Sequence, residues 1–142
     1  MATEPAGYSG TPLPAKLGFK AGTTLALVAA PRGFEALLEP LPAGARIRRR
    51  ASGACEVLLV FVRTLEDLAA AMTRHTPRRD IHYLWIAWPK KTSPLAGPLG
   101  ENDVRDAGLA CGWVDSKVCA VDADWSGLRF TPRKARSQVD VR

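Results

Sequence analysis

Cysteine is scarce in this sequence, and the long apolar runs that mark membrane proteins are missing. The 142 residues include only Cys55, Cys111 and Cys119, with no C-x-x-C pair. An odd number without metal-ligand spacing argues against a disulfide framework or a zinc site, so we expect inert, reduced thiols. No stretch approaches the ~20 apolar residues of a membrane-spanning helix, and the N-terminus does not resemble a signal peptide. We therefore expect a cytoplasmic protein with no membrane partner.

The sequence also lacks the motifs that identify common active sites. It has no G-x-S-x-G and no G-x-x-x-x-G-K-[ST], and the turn at residues 30–33 (Ala-Pro-Arg-Gly) has a single glycine. His75 and His82 do not form a ligand pair; His75 closes a predicted helix, where a cation is favourable. Asp122 and Asp124 are typical of a turn. We expect no metal site and no catalytic residue, and the missing glycines disfavour S-adenosylmethionine or a dinucleotide as cofactor.

The excess of positive charge is modest and concentrated at the C-terminus. The formal net charge is +6, and residues 133–142 supply half of it, through four cations against Asp140. We expect these ten residues to form a basic, flexible tail. The remaining excess is weak support for nucleic-acid binding. The arginine-rich run 46–50 is typical of a solvated sheet edge.

The sequence does contain a regular alternation of strand and helix patterns. Short apolar runs bounded by proline or glycine predict strands, and apolar residues at helical spacing predict helices. Residues 1–22 are expected to form an N-terminal arm with at most one helical turn, starting no earlier than Ala15 because of Pro12 and Pro14. The predicted strands are 23–30, 45–50, 56–62, 81–88, 117–121 and 128–131, and the predicted helices are 33–39, 65–75 and 101–111.

This alternation predicts one α/β domain over residues 23–132. We expect a three-layer α/β/α sandwich with a mostly parallel sheet and a C-terminal antiparallel hairpin. Strand 45–50 presents a problem of reach. If it and strand 56–62 lie parallel on opposite sides of strand 23–30, the linking residues 51–55 must span about 20 Å, which is near full extension. We therefore expect strand 45–50 to be very short, antiparallel or outside the sheet.

The carboxyl ends of the predicted strands carry cations and tryptophans. In open parallel sheets ligands bind at this edge, so it is the candidate site. Phosphate groups would lie on the cations and a ring on a tryptophan; the alternative is solvated charges and tryptophans that belong to the core. The candidate residues are Arg32, Arg63, Trp88, Lys90, Lys91, Trp125 and Ser126.

Several segments carry a recognisable pattern. They are residues 8–13 (Tyr-Ser-Gly-Thr-Pro-Leu) with 16–18 (Lys-Leu-Gly), then 88–91 (Trp-Pro-Lys-Lys), 117–122 (Lys-Val-Cys-Ala-Val-Asp) and 125–129 (Trp-Ser-Gly-Leu-Arg). Together they resemble the family of small bacterial proteins known as domain of unknown function 3052, over about residues 8–133. This resemblance implies a bacterial source, no established activity and no catalytic residue.

The strand order is similar to that of class I methyltransferases, especially in the final hairpin. That similarity implies a shortened Rossmann-like, methyltransferase-like fold, without the glycine loop and without one helix–strand pair.

Three functions follow as hypotheses. The first is non-enzymatic binding of an anionic ligand or partner, nucleotide-like or phosphate-bearing, at the strand-end edge. The second is a small-molecule enzyme related to class I methyltransferases with an atypical cofactor loop, for which a closed pocket beside Trp88 would be favourable. The third is a protein–protein interaction module, as a monomer or a homodimer.

Overall fold

The computed structural model describes residues 11–133, and a six-stranded mixed sheet lies at its centre. Its order is β2-β1-β3-β4-β6-β5; β1 to β4 run parallel, and β6 is antiparallel to β4 and β5. The predicted α/β class, with a mostly parallel sheet and a C-terminal hairpin, is confirmed. The strands are β1 (Thr24–Val28), β2 (Arg46–Arg48), β3 (Val57–Phe61), β4 (Tyr83–Pro89), β5 (Trp113–Ala120) and β6 (Trp125–Pro132).

Helices cover both faces of the sheet. They are α1 (Leu13–Leu17), a 3₁₀ helix (Phe34–Leu38), α2 (Leu65–His75) and α3 (Glu101–Ala110). All five residues of β3 are buried, because it is a central strand covered on both sides. Its side chains alternate between an apolar cluster shared with α2 and α3 and a second cluster shared with α1 and the 3₁₀ helix. None of the helices within residues 11–133 is long and apolar enough to cross a membrane.

The start of α1 and the nature of the second helix differ from the sequence-based expectation. The helix begins at Leu13 rather than Ala15, because a proline in the first turn has no helical hydrogen bond to lose. The segment predicted as helix 33–39 is a 3₁₀ helix over Phe34–Leu38. Of the predicted arm and tail, residues 1–10 and 134–142 lie outside the described residues.

The short helix α1 is attached to strands that lie far away in sequence. The Trp85 indole N–H donates to the Leu17 carbonyl oxygen (2.9 Å), and Lys117 Nζ donates to the Lys16 carbonyl oxygen (3.3 Å). At Gly18 (φ +78°), a Cβ would come within 2.5 Å of the Tyr83 ring. The N-terminal helix is therefore packed directly against β4 and β5.

The C-terminal hairpin is longer and its turn tighter than predicted. Both strands have eight residues, and the turn between them is 121–124 rather than 122–127. The Asp122 carboxylate accepts hydrogen bonds from the backbone N–H groups of Asp124 (2.8 Å) and Trp125 (2.9 Å), an Asx turn. Trp125 and Ser126 therefore lie on β6. Within the part of the chain that the structure describes, no group of acidic, histidine or cysteine side chains could hold a metal ion.

The link between β2 and β3 solves the problem of reach in an unusual way. Strand β2 has only three residues, runs parallel to β1 at the sheet edge, and leaves residues 49–56 to cross back to β3. Crossovers between parallel strands normally need about a dozen residues and usually contain a helix. Here the link has no helix, and its Ala51 and Cys55 pack against the α2 and α3 side of the sheet. Of the three alternatives, the very short parallel strand is the one found.

Two arginines hold this irregular link in place. Arg48 donates hydrogen bonds to the carbonyl oxygens of Arg50, Gly53 and Ala54, each at 3.2 Å. Arg78, just after α2, donates to the carbonyl oxygens of Ala51 and Gly53. Backbone carbonyls outside helices and sheets need such partners, so the guanidinium groups supply what a crossover helix would have satisfied internally.

We expect the Arg78→Ala variant to lower the free energy of unfolding by about 1–3 kcal/mol, because two partly buried carbonyls lose their charged donor. The matched control is Arg50→Ala, whose exposed side chain makes no contact in the described chain, with an expected change within about 0.5 kcal/mol. Urea denaturation followed by circular dichroism measures both. Equal effects of the two substitutions would contradict this role of Arg78.

Gly108 gives a second test, because the usual effect of its replacement should be reversed. Alanine normally stabilises a helix by about 0.5–1 kcal/mol relative to glycine. A Cβ at buried Gly108, however, would come within 2.1 Å of the buried Phe130 ring. We expect Gly108→Ala to lower the free energy of unfolding by about 1–3 kcal/mol through overpacking. Thermal unfolding beside the exposed Asp106→Ala variant measures this, and a raised melting temperature would refute it.

Candidate functional site

The candidate site lies at the edge where the parallel strands end. The carboxyl ends of β1, β3 and β4 are adjacent there, and β6 starts at the same edge because Trp125 pairs with Pro89. The Lys90 backbone N–H donates to the Asp124 carbonyl oxygen (2.8 Å), which joins the loop after β4 to the hairpin turn. The predicted positions of the candidate residues at strand ends therefore correspond to a real edge of the molecule.

Both candidate tryptophans belong to the core. Trp88 and Trp125 are each 5% exposed, and they contribute to the apolar clusters on opposite faces of the sheet. Trp125 also stacks edge-to-face on Phe61, with ring centroids 4.9 Å apart. Ser126 is partly buried and pairs with Trp88 across the β4–β6 ladder. Neither indole presents a ring face to a ligand, which matches the core alternative considered for them.

Three of the candidate cations are exposed at this edge. The side chains of Arg32, Arg63 and Lys91 make no ion pair or hydrogen bond with any residue in the described range 11–133. Lys90 is partly buried. A Cβ at Gly97 would lie 3.3 Å from the Arg63 carbonyl oxygen, and a Cβ at Gly100 would lie 4.0 Å from Lys91 Nζ.

The loop 90–100 therefore folds back over the end of β3. Gly97 and Gly100 are only three residues apart, so Arg63 and Lys91 flank one short segment of this loop.

An ion pair in front of β1 is the main feature that the sequence reasoning missed. Arg49, directly after β2, donates to both carboxylate oxygens of Glu35 at 2.6 and 2.9 Å. The same guanidinium donates to the carbonyl oxygens of Ala30 (3.0 Å) and Pro31 (2.9 Å). Arg49 thus joins the end of β2, the turn after β1 and the 3₁₀ helix. The only sequence signal was the arginine run 46–50, which we interpreted as a solvated edge.

This ion pair should change the titration of Glu35. The guanidinium of Arg49 lowers the pKa of Glu35 from 4.5 to about 2, mainly by hydrogen bonding. A depressed folded-state pKa stabilises the fold above the unfolded value, so this contribution is lost as the pH falls from 4.5 towards 2. We expect the Glu35 carboxyl signal in NMR to titrate near 2 in the wild type and near 4.5 in Arg49→Gln. The same titration midpoint in both proteins would contradict the pairing.

The turn after β1 is the place to test a nucleoside cofactor. In nucleotide-binding parallel sheets the backbone at glycines approaches the ligand, and an acidic side chain about 20 residues further on binds the ribose. Here the turn holds Ala29 (φ +61°), Ala30 and Pro31, so side chains stand where close approach is needed. Arg49 stands after β2 instead of an acid and is bonded to the turn itself. The residues do not fit S-adenosylmethionine in that pose.

Comparison with solved structures shows the fold class. A SAM-dependent methyltransferase from Aquifex aeolicus aligns with a TM-score of 0.57 at 14% identity, covering 82% of this chain and 85% of that one. Magnesium protoporphyrin IX methyltransferase from Synechocystis PCC 6803, solved with bound SAM, aligns with a TM-score of 0.53 at 9% identity, covering 86% and 74%. A mutant of MtNAS in complex with S-adenosylmethionine gives 0.54 at 9% identity, covering 85% and 59%. The protein therefore has a methyltransferase-like α/β fold.

The sequence family is shown by a match over residues 60–140 to the family described as Domain of unknown function (DUF8412). The chain belongs to this family. The expected membership of a domain of unknown function is thus confirmed, but the number 3052 is not. No curated protein matches the sequence.

Proposed function

We propose that this domain binds an anionic ligand or partner at the strand-end edge and does not catalyse a reaction on it. The observation that carries the proposal is the set of exposed cations at this edge that have no partner in residues 11–133: Arg32, Arg63 and Lys91. Exposed, unpaired cations on neighbouring loops create a positive potential that attracts anions and steers their approach. Phosphate groups, whether on a nucleotide-like molecule or on a protein, are the best match for guanidinium and ammonium donors.

The spacing of the strands supports a shared site. Arg32, Arg63 and Lys91 follow β1, β3 and β4, which are adjacent in the sheet. Neighbouring strands lie about 4.8 Å apart, so the three loops span about 10 Å. Two phosphate groups of one ligand would cover that span. Lys90, in the same loop as Lys91, would add a fourth cation.

The experiment compares two double variants with the same loss of charge. Arg63→Gln/Lys91→Gln removes cations from the proposed site, and Lys20→Gln/Arg46→Gln removes exposed cations near the amino ends of β1 and β2. We expect isothermal titration with pyrophosphate and ADP at 50 mM salt to show binding to the wild type and the control. The site variant should bind at least about tenfold more weakly, as expected when a charged contact worth about 1.4 kcal/mol or more is lost.

Equal affinity of the two double variants would overturn the proposal, because it would mean that only net charge matters. Absence of binding by the wild type to pyrophosphate, ADP, a phosphopeptide and a short RNA would overturn it as well. Affinity should fall with salt.

The enzyme alternative is favoured by one observation, the likeness in fold to methyltransferases of known structure. It requires S-adenosylmethionine or a similar molecule to bind in a pose different from the usual one, since Arg49 and the alanines of the β1 turn stand in that place. Thermal unfolding with and without S-adenosylmethionine separates the hypotheses. A concentration-dependent rise in melting temperature in the wild type would favour the enzyme and count against the proposal above.

A further inference from the structure

A groove of about 250 Å³ runs beside α2, on the face of the sheet away from the 3₁₀ helix. Its floor is formed by the carboxyl ends of β1 and β3, including Val28, Val60 and Val62, and its wall by one flank of α2. This groove is separate from the exposed cations of the strand-end edge, none of which lines it.

The groove exists because of the helix-free link between β2 and β3. A crossover helix at that point in the chain would pack on the sheet beside α2. The eight-residue link 49–56 has too little bulk to cover the whole of this face, and Val28 at the end of β1 is left only half-buried. On the helix flank, Ala70 is too small to fill the space.

His75 is the unusual residue of the groove. It is 2% exposed, yet its imidazole makes no hydrogen bond with any residue in the described range 11–133. Within the same range no side-chain nitrogen or oxygen is both fully buried and without a partner. The imidazole must therefore keep a nitrogen at an accessible surface, and the groove that it lines is that surface.

Burial also decides the charge of His75. The sequence analysis treated it as a favourable cation at the end of a helix. In the structure burial, followed by the charges of Arg74 and Arg78, lowers the pKa of His75 below its usual value. At neutral pH the ring is uncharged and offers one N–H donor and one acceptor nitrogen.

The polar groups of the groove are divided between its two ends. Asp67 and Arg74 both line it and lie seven residues apart on α2, about 10 Å along the helix axis. The Asp67 carboxylate already accepts a hydrogen bond from the Arg63 backbone N–H (3.0 Å). Arg74 makes no ion pair or hydrogen bond in the part of the chain that is described and lies next to His75. One end therefore presents an unpaired cation and a hydrogen-bond donor, beside an apolar middle.

We propose that this groove binds a small organic acid with an apolar body, its carboxylate contacting Arg74 and the His75 N–H. A cavity of about 150 Å³ holds benzene, so the groove has room for about ten non-hydrogen atoms. The apolar body lies on the valines of the sheet, and the carboxylate meets the two groups that have no partner in the described chain. The ligand class thus differs from the phosphate-bearing anions proposed for the strand-end edge.

Phenylacetate and phenylacetamide are a matched pair of probes, because they have the same shape and differ in the charged end. We expect phenylacetate to shift the His75 ring signals saturably in ¹H–¹³C NMR spectra, in the millimolar range expected for so small a ligand. The exposed His82 is an internal control and should not move. Phenylacetamide should bind at least about tenfold more weakly, the effect of losing a charged hydrogen bond.

Two variants of the exposed face of α2 test the location. Ala70→Leu fills the groove and should abolish saturable binding, whereas Ala69→Leu, at an exposed position that does not line it, should bind like the wild type. Circular dichroism of both confirms that the helix is intact. Arg74→Gln should weaken phenylacetate about tenfold and leave phenylacetamide unchanged.

The outcomes separate this inference from the proposed function. The Arg63→Gln/Lys91→Gln variant should bind phenylacetate like the wild type even if it no longer binds pyrophosphate. Shifts of His75 that do not saturate, shifts equal to those of His82, or unchanged binding by Ala70→Leu would each overturn the groove proposal.

Discussion

The short link between β2 and β3 is the constraint on which much of the structure depends. Because it must return across β1 within residues 49–56, β2 cannot extend beyond three residues, and no helix fits in the crossover. The carbonyl groups of the link must be satisfied from outside, and Arg48 and Arg78 do this from two different elements. The sheet thereby keeps the strand order of a much larger fold, while one face of β1 is covered only by irregular chain.

The same constraint shapes the edge at which ligands usually bind. Arg48 and Arg49 are consecutive, so their side chains leave the backbone in opposite directions: one holds the link, and the other reaches the turn after β1. The guanidinium of Arg49 then stands against the carbonyl groups of that turn and is neutralised by Glu35. The loops after β3 and β4 keep their exposed cations. The fold is therefore retained while its usual cofactor position is closed, and this is the strongest argument for binding by other surfaces.

The parts that could be predicted from sequence are those fixed by local patterns. Apolar runs were enough for the central strands, and Thr64 with Asp67 defined the start of α2, where the threonine hydroxyl accepts the Asp67 N–H at 3.0 Å. The roles of Arg49 and His75 could not be predicted in this way. A hydrogen bond to a carbonyl 19 residues away, or the burial of a histidine, depends on which elements become neighbours in three dimensions. The tryptophans at the strand ends were ambiguous for the same reason, since position along a strand does not determine the depth of the ring.

The attachment of α1 to the far side of the sheet has a consequence for synthesis of the chain. Lys16 donates to and accepts from residues of β5 that follow it by about a hundred positions. A ribosome adds about 5–20 residues per second, so the partners of α1 appear some 5–20 seconds after the helix itself. During that interval Leu17 and Phe19, both fully buried at the end, have no sheet to pack against. The first segment to be made is thus among the last to be sheltered from water and from other chains.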